Sequence, residues 1–376
     1  MRGRLRDLLH PLYRRLETRV HPLRYLFLEV TSRCNLRCRH CGSDCDRTAR
    51  EGELTTGEWL AVVDRIADGF DPRALVLVIT GGEPLCRPDL DDILERIQAR
   101  GLAWGMVTNG QALGPAALQH LLGRGLRSLT VSLDGLRPTH DALRGGPGAF
   151  DRAIRAIRAA AEAHARGALP FTDVVTCAHP ANLDELHAVR ALLEATGAPA
   201  WRLFPIFPRG RARQNQDLLL APAQLRVLLE FVAASRRRTG ALRADLSCEG
   251  YLPPAVDRAV RDEPYFCRAG ISVASVLCDG AIAACPSVSR TLVQGNVRSD
   301  DLVEVWERRF APHRDRAWMR TGACAACADF GRCLGNSLHL WDAETRTTGC
   351  CTRDAACGPV VKPPGGPEDG VTAHNR

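Results

Sequence analysis

Lysine is all but missing from this sequence. Of its 50 basic residues only Lys362 is a lysine, and it sits in a Pro/Gly-rich tail. That argues against a lysine Schiff base, a Ser–Lys pair and a Walker A phosphate loop. Aromatic residues make up only 5%. No apolar run approaches the roughly 20 residues needed to span a bilayer, so no transmembrane segment is expected. A secretory signal is also lacking: the first 24 residues are arginine-rich, broken by Pro11 and Pro22, and have no continuous apolar stretch. A net charge of +7 over 376 residues is too small to point to nucleic acid. What is abundant is cysteine, sixteen in all. A chain of this size does not need disulfides to fold, and closely spaced thiols in a reducing compartment more often hold metal. Metal is therefore the expected role, and the cytoplasm the expected location.

Six β-rich runs, 25–30, 75–80, 104–108, 129–133, 171–176 and 201–207, alternate with amphipathic stretches at 55–68, 90–100, 149–166 and 183–196. Thr55 and Glu58 have capping-box spacing at the head of the first helix. Strand-then-helix units predict parallel pairing with right-handed crossovers. Six units fall short of the eight in a closed barrel, so the fold class is α/β with a partial (β/α)6 TIM-like barrel. Chemistry then belongs at the C-terminal ends of its strands. The expected organisation is a basic segment over 1–24, the barrel over 25–215, a helical bridge over 216–243, a cysteine-rich domain over 244–357 and a disordered tail over 358–376. The basic segment has seven arginines and two acids and reads as a solvated helix ahead of a site for an acidic leader or a membrane. From about Ala244 the βα rhythm stops, and ten of the sixteen cysteines follow. Within that region Asp279 and Gly280 read as a tight hairpin turn, and 301–309 as a short helix.

The first strand leads directly into Cys34, Cys38 and Cys41. Three thiolates at offsets of four and three residues can wrap one side of a [4Fe–4S] cube and leave one iron without a protein ligand. Catalytic metal sites keep such an open position. Zinc with a distant fourth ligand is the competing reading. This C-x3-C-x2-C loop after a first strand resembles the signature of the radical S-adenosylmethionine (SAM) superfamily, over roughly residues 25–215. The resemblance implies that Gly81, Gly82 and Glu83, after the second strand, meet the methionine amino group of SAM: glycines let backbone approach, and a carboxylate accepts from an ammonium. It implies that Ser132 and Arg144, twelve residues apart, hold the methionine carboxylate; the alternative for Arg144 is an ordinary surface arginine. Asp134 would touch the ribose or cap a turn. His40 would lie beside the adenine and is not read as a ligand. In that superfamily SAM chelates the open iron, one electron cleaves it to methionine and a 5′-deoxyadenosyl radical, and the radical takes a hydrogen atom from substrate.

Further on, Cys267, a spacer containing Gly280, Cys285, and then Cys324, Cys327 and Cys333 resemble the SPASM domain, a cysteine-rich iron–sulfur extension of radical SAM enzymes that mostly modify peptides. A zinc knuckle is the competing reading of the C-x2-C-x5-C part. The resemblance implies one or two auxiliary [4Fe–4S] clusters. The distal one would take Cys324, Cys327, Cys333 and either Cys350 or Cys351. The proximal one would take Cys267 and Cys285, with Cys248 upstream. Four positions after Cys333 the pattern calls for cysteine, and this chain has Ser337. The proximal cluster then has an open iron, has a serine ligand or is missing. Cys45, Cys86, Cys177, Cys278 and Cys357 remain as buried thiols.

The leading functional expectation is a maturase that modifies a ribosomal peptide or protein by crosslinking, epimerisation or oxidation. Segments 21–27, 41–45, 104–110, 201–204 and 267–270 resemble the radical SAM/SPASM subfamily found beside small lipoprotein genes. The alternative is a dehydrogenase or rearranging enzyme acting on a sugar, alcohol or tetrapyrrole; a non-enzymatic iron–sulfur scaffold is the third. Expected partners are the precursor peptide, protein or small-molecule substrate and an electron donor such as flavodoxin or ferredoxin. Only about 24 residues precede the first strand, so leader recognition is expected to rest on a separate leader-binding protein.

Overall fold

The structure, a computed structural model, describes residues 2–247, 250–349 and 351–357. The tail 358–376, Cys248 and Cys350 therefore lie outside the described residues. Six strands form where expected: β1 Tyr25–Glu29, β2 Val76–Thr80, β3 Ala103–Thr108, β4 Leu126–Ser132, β5 Phe171–Ala178 and β6 Ala200–Pro205. All pair in parallel, in sequence order. Helices α2 Thr56–Gly69, α3 Leu90–Ala99, α4 Pro115–Gly123, α5 Arg137–Arg144, α6 Ala149–Ala165 and α7 Leu186–Thr196 make the crossovers. The capping box of Thr55 and Glu58 forms at the start of α2. The short α4 and α5 carry too few turns to stand out by periodicity; each has a proline in its first turn that presets the helix start. Trp59, Trp104 and Trp201 are fully buried in the layer between sheet and helices.

The sheet does not end at six strands. β7 (Arg243–Leu246) adds in parallel to β6, and β8 (Val273–Val276) adds in parallel to β1. β8 turns through Gly280, at φ +84°, into β9 (Ala281–Ala283) and then β10 (Gly295–Asn296). The rhythm expected to stop near Ala244 thus continues by one strand, and the predicted hairpin covers the free edge of β1. An uncovered parallel edge would leave a row of backbone donors and acceptors unpaired. Helix α8, Pro222–Arg237, belongs to a run long and apolar enough to cross a membrane by composition. Here it packs on β7, with Phe231 edge-on to Trp201 at 5.7 Å.

The basic lead-in forms helix α1, Arg2–Val20, and it is docked. Arg14 donates to the carbonyls of Gly331 and Arg332, both at 2.6 Å, and buried Glu17 pairs with Arg24 and Arg268. The face it leaves exposed carries Leu8, Leu9, Leu12, Leu16 and Val20. The expectation of a solvated basic helix is corrected accordingly.

Two buried histidines set an acid limit on this fold. Burial holds His140 and His313 down at about 4. Unfolded histidines take up protons near pH 6.5 and the folded ones only near 4, so stability is full above that range and falls as pH drops through it. Each should cost up to about 2 kcal/mol by pH 5. Urea midpoints should fall between pH 7 and 5, and His313→Gln should flatten the slope; a midpoint indifferent to pH over that interval would contradict this.

Candidate functional site

The loop after β1 is tied down before its first cysteine. Glu53 accepts from Thr31 Oγ1 at 3.0 Å and from the Ser32 backbone N–H at 2.5 Å. The Cys34 N–H donates to the Asp46 carbonyl at 2.7 Å, closing the loop. Cys34 and Cys38 are buried and Cys41 half-buried. Every sulfur meets a donor. The Leu36 N–H and Asn109 Nδ2 reach Cys34 Sγ at 3.5 and 3.7 Å, Arg144 Nη1 reaches Cys38 Sγ at 3.9 Å, and the Cys45 N–H reaches Cys41 Sγ at 3.4 Å. Such donors are what thiolate ligands of an iron–sulfur cluster require around them.

Among the described residues one trio of possible ligand atoms, those of His40, Asp134 and Cys177, lies within 4.8 Å of one another. The His40 trio is already spent: Asp134 accepts from the Cys177 N–H at 2.8 Å and from Arg144 Nε at 2.5 Å. Burial pushes the Cys34 thiol up to about 12 and raises Cys38 as well. The Cys45 thiol, donating to Cys41, brings Cys41 below the ordinary thiol value against burial. Metal loading of this loop therefore releases protons.

Loops after β2 and β4 complete the cavity, which is lined by the three cysteines, His40, Gly81, Gly82, Asn109, Ser132, Arg144 and Arg211. A Cβ on Gly81 would lie 2.4 Å from the Thr31 carbonyl, and one on Gly82 2.3 Å from that of Arg33. Only glycine permits this contact between the β2 loop and the cysteine loop. Glu83 does not offer the free carboxylate expected for an ammonium. It is fully buried and accepts from Thr108 Oγ1 at 2.8 Å, the Asn109 N–H at 2.7 Å and the Leu85 N–H at 3.3 Å. It clamps the end of β2 to the end of β3.

Arg144 is not a surface arginine: it is 8% exposed and paired with Asp134, which is wholly buried. Asp134 in turn neither caps a turn nor faces the cavity; it aims Arg144. Burial works against its ionisation, but Arg144, His40 and His140 outweigh burial and hold the carboxyl well below the usual range. His40 sits 4.0 Å from Asp134, and burial keeps it neutral, at about 3. Two participants escaped the sequence reading. Asn109 also donates to Asn35 Oδ1 at 2.8 Å. Arg211 donates to the Cys38 and Cys45 carbonyls at 2.7 and 2.8 Å and to Asp44 at 2.7 Å. The sequence 107–110 marked the loop that holds Asn109, but nothing local marks Arg211.

In the second region burial pushes the Cys333 thiol up to about 12, and the neighbouring Cys351, Cys324 and Cys327 raise it further. Arg353 Nη1 approaches Cys327 Sγ at 3.5 Å. Cys267 lies beside Arg316, which donates to its carbonyl at 3.1 Å. Burial opposes its ionisation, yet Arg316 and the backbone N–H groups of Leu338 and Ala269 bring it below the ordinary thiol value. Ser337 is buried and shares a hydrogen bond with Tyr265 Oη at 2.8 Å while accepting from the Gly250 N–H at 3.2 Å. Cys285, half-buried, faces Arg209.

Residues 28–193 match the radical SAM superfamily, and residues 267–329 match SPASM, an iron–sulfur cluster-binding domain. The PqqA peptide cyclase of Ruegeria pomeroyi is 30% identical over 339 residues, 87% of each chain. The AdoMet-dependent heme synthase of Methanosarcina barkeri is 29% identical over 327 residues, 83% of this chain and 90% of its own. Streptococcus suis SuiB bound to S-adenosylmethionine shares the fold with a TM-score of 0.67 at 16% identity, over 89% of this chain and 77% of SuiB. This chain belongs to the radical SAM superfamily, and is a SAM- and [4Fe–4S]-binding enzyme that carries a SPASM domain.

Proposed function

We propose that this enzyme abstracts hydrogen from a ribosomal peptide or protein, leaving a crosslink, an epimerised residue or an oxidised side chain. The observation that carries the chemistry is convergence: the cysteine loop, Gly81, Gly82, Ser132 and Arg144, from the C-terminal ends of β1, β2 and β4, line one cavity. Cys34, Cys38 and Cys41 would hold the cluster, which when bound supplies the electron that cleaves SAM to methionine and a 5′-deoxyadenosyl radical. Ser132 and Arg144 hold the methionine carboxylate, the backbone at Gly81 and Gly82 takes its amino group, and His40 lies along the adenine. Asp134 orients Arg144, while Asn109 and Arg211 brace the cysteine loop. An electron donor such as flavodoxin or ferredoxin completes the system.

A cleft of about 380 Å3 adjoins this cavity and is lined in part by Arg209, Gly210, Arg213, His339, Trp341 and Glu344. The Arg211 N–H donates to the Cys41 carbonyl at 3.0 Å, joining the two walls. That volume lies at the low end of sites that enclose a whole small molecule, and suits a side chain with its flanking backbone. The relationship to peptide cyclases supports a peptide. A tetrapyrrole is the second reading, supported by the relatives named heme synthase and Fe-coproporphyrin III synthase. The deciding assay supplies the reconstituted enzyme, dithionite and SAM with either a peptide encoded beside its gene or iron coproporphyrin III. The peptide should raise 5′-deoxyadenosine at least about tenfold, and should lose two hydrogens if crosslinked or dehydrogenated or take up deuterium from D2O if epimerised. Stimulation by the tetrapyrrole alone would transfer the assignment to the second reading.

A further inference from the structure

Most of the large apolar side chains that this fold leaves in water are on one element. In helix α1, Leu8, Leu9, Leu12, Leu16 and Val20 are 53–76% exposed, and Tyr13 is 38% exposed. Elsewhere among the described residues only Tyr25, Phe171 and Val227 are large, apolar and exposed. Single apolar residues scattered over a surface are ordinary, but six on one helix mark a contact surface. Residues four apart share a row on a helix. Leu8, Leu12, Leu16 and Val20 make one row, with Leu9 and Tyr13 in the row on one side and Pro11, Arg15 and Arg19 in the row on the other. The opposite face is the docked one, through Arg14 and buried Glu17.

Arg15 and Arg19 are exposed, and among the described residues neither is paired with a carboxylate. Glu17 faces the body of the protein and is already held by Arg24 and Arg268. The leucines therefore stand on a ridge with unbalanced positive charge along its flank, and an occupant has to satisfy both features. A second copy of this chain would set Arg15 and Arg19 against their counterparts, and like charges across an interface are costly. A peptide helix is recognised by seating its apolar face in a groove, and a ridge offers none. An anionic lipid surface fits. The apolar face of an amphipathic helix sinks into the boundary between headgroups and acyl chains, while arginines beside it meet the lipid phosphates and keep their stems on the apolar side.

We propose that α1 is a peripheral membrane anchor: the row of Leu8, Leu12, Leu16 and Val20 enters an anionic lipid surface, and Arg15 and Arg19 hold the headgroup phosphates. The attachment is reversible, because one helix face without an acyl chain does not approach the hold of a spanning helix. It does not depend on which substrate the enzyme takes.

The experiment is co-sedimentation of the full chain with vesicles of phosphatidylglycerol and phosphatidylcholine in equal parts, and with vesicles of phosphatidylcholine alone. The unaltered protein should bind the anionic vesicles at least about tenfold more tightly. That preference should vanish as salt rises to roughly 1 M, where charges are screened within about 3 Å. Leu12→Glu/Leu16→Glu should weaken binding to anionic vesicles at least about tenfold, with the urea midpoint unchanged because both side chains already stand in water. Arg15→Gln/Arg19→Gln should remove most of the preference for anionic lipid. If the leucine variant does not fold, the arginine variant and the salt series decide the same question. Failure to bind anionic vesicles, or binding that these variants leave unmoved, overturns the proposal. So does a lipid-free dimer in sedimentation equilibrium that Leu12→Glu/Leu16→Glu dissociates, which would give the ridge to a second copy. Binding of a peptide encoded beside its gene, lost in the same variant while vesicles are ignored, would give it to that peptide instead.

Discussion

Cys38→Ala should abolish 5′-deoxyadenosine formation, lowering it by at least about a thousandfold, and should remove about four irons per chain. Three thiolates are the fewest that can hold a cube while leaving one iron open, and the loop has no spare ligand suitably placed. Cys45 also lines the cavity, but its N–H donates to the Cys41 sulfur at 3.4 Å and its thiol lies 3.9 Å from the Ser43 carbonyl, so it is engaged beside Cys41 rather than placed to take over from Cys38. Cys38 is also the sulfur that Arg144 reaches, so its loss disturbs the arginine proposed to bind the methionine carboxylate as well as the cluster. Cys45→Ala is the matched control and should keep both the iron and most of the activity. Iron content, the 410-nm region of the absorption spectrum and product by mass spectrometry decide the matter. A Cys38→Ala protein that retains full iron and turns over SAM would show that the loop has been misassigned.

The parallel strands were legible because strands covered on both faces must be apolar along most of their length, as in Val76–Thr80. The cysteines were legible because metal chemistry fixes residue type and spacing together. What was not legible depended on contacts distant in sequence. Strand β7 has only four residues, and although the hairpin at Asp279 and Gly280 was expected, nothing local marked its first arm β8 as the partner of β1. Glu83 was read as facing a ligand, yet the 3-10 turn Pro84–Cys86 behind it directs the carboxylate to Thr108 and Asn109. Arg211 and Arg316 are two among 50 basic residues, and no local pattern sets them apart. Only burial against backbone carbonyls distinguishes them from the arginines that coat the surface. Arg144 lay between these cases: its distance from Ser132 was visible, but its partner Asp134 was not identified as one.

That pairing makes Arg144→Gln the second large expected effect. The variant leaves Asp134 charged and wholly buried, and breaking a buried pair from one side costs about 3–5 kcal/mol. Asp134 keeps the Cys177 N–H as donor at 2.8 Å, which offsets only part of the loss. Because the folded carboxyl lies below its ordinary range, the pair contributes fully at neutral pH, and its contribution fades only as pH falls below about 4. SAM binding should weaken independently of stability, by at least about tenfold, because an ion-paired hydrogen bond to the methionine carboxylate is lost. The two effects separate in a double-mutant cycle. Adding Asp134→Asn to Arg144→Gln should recover most of the stability in urea melts, since the buried charge is gone, yet leave SAM affinity low by anaerobic equilibrium dialysis. Recovery of both together would mean that Arg144 only supports the fold. Recovery of neither would mean that the loop after β4 had collapsed. Stability without affinity is the outcome that places the guanidinium on the ligand.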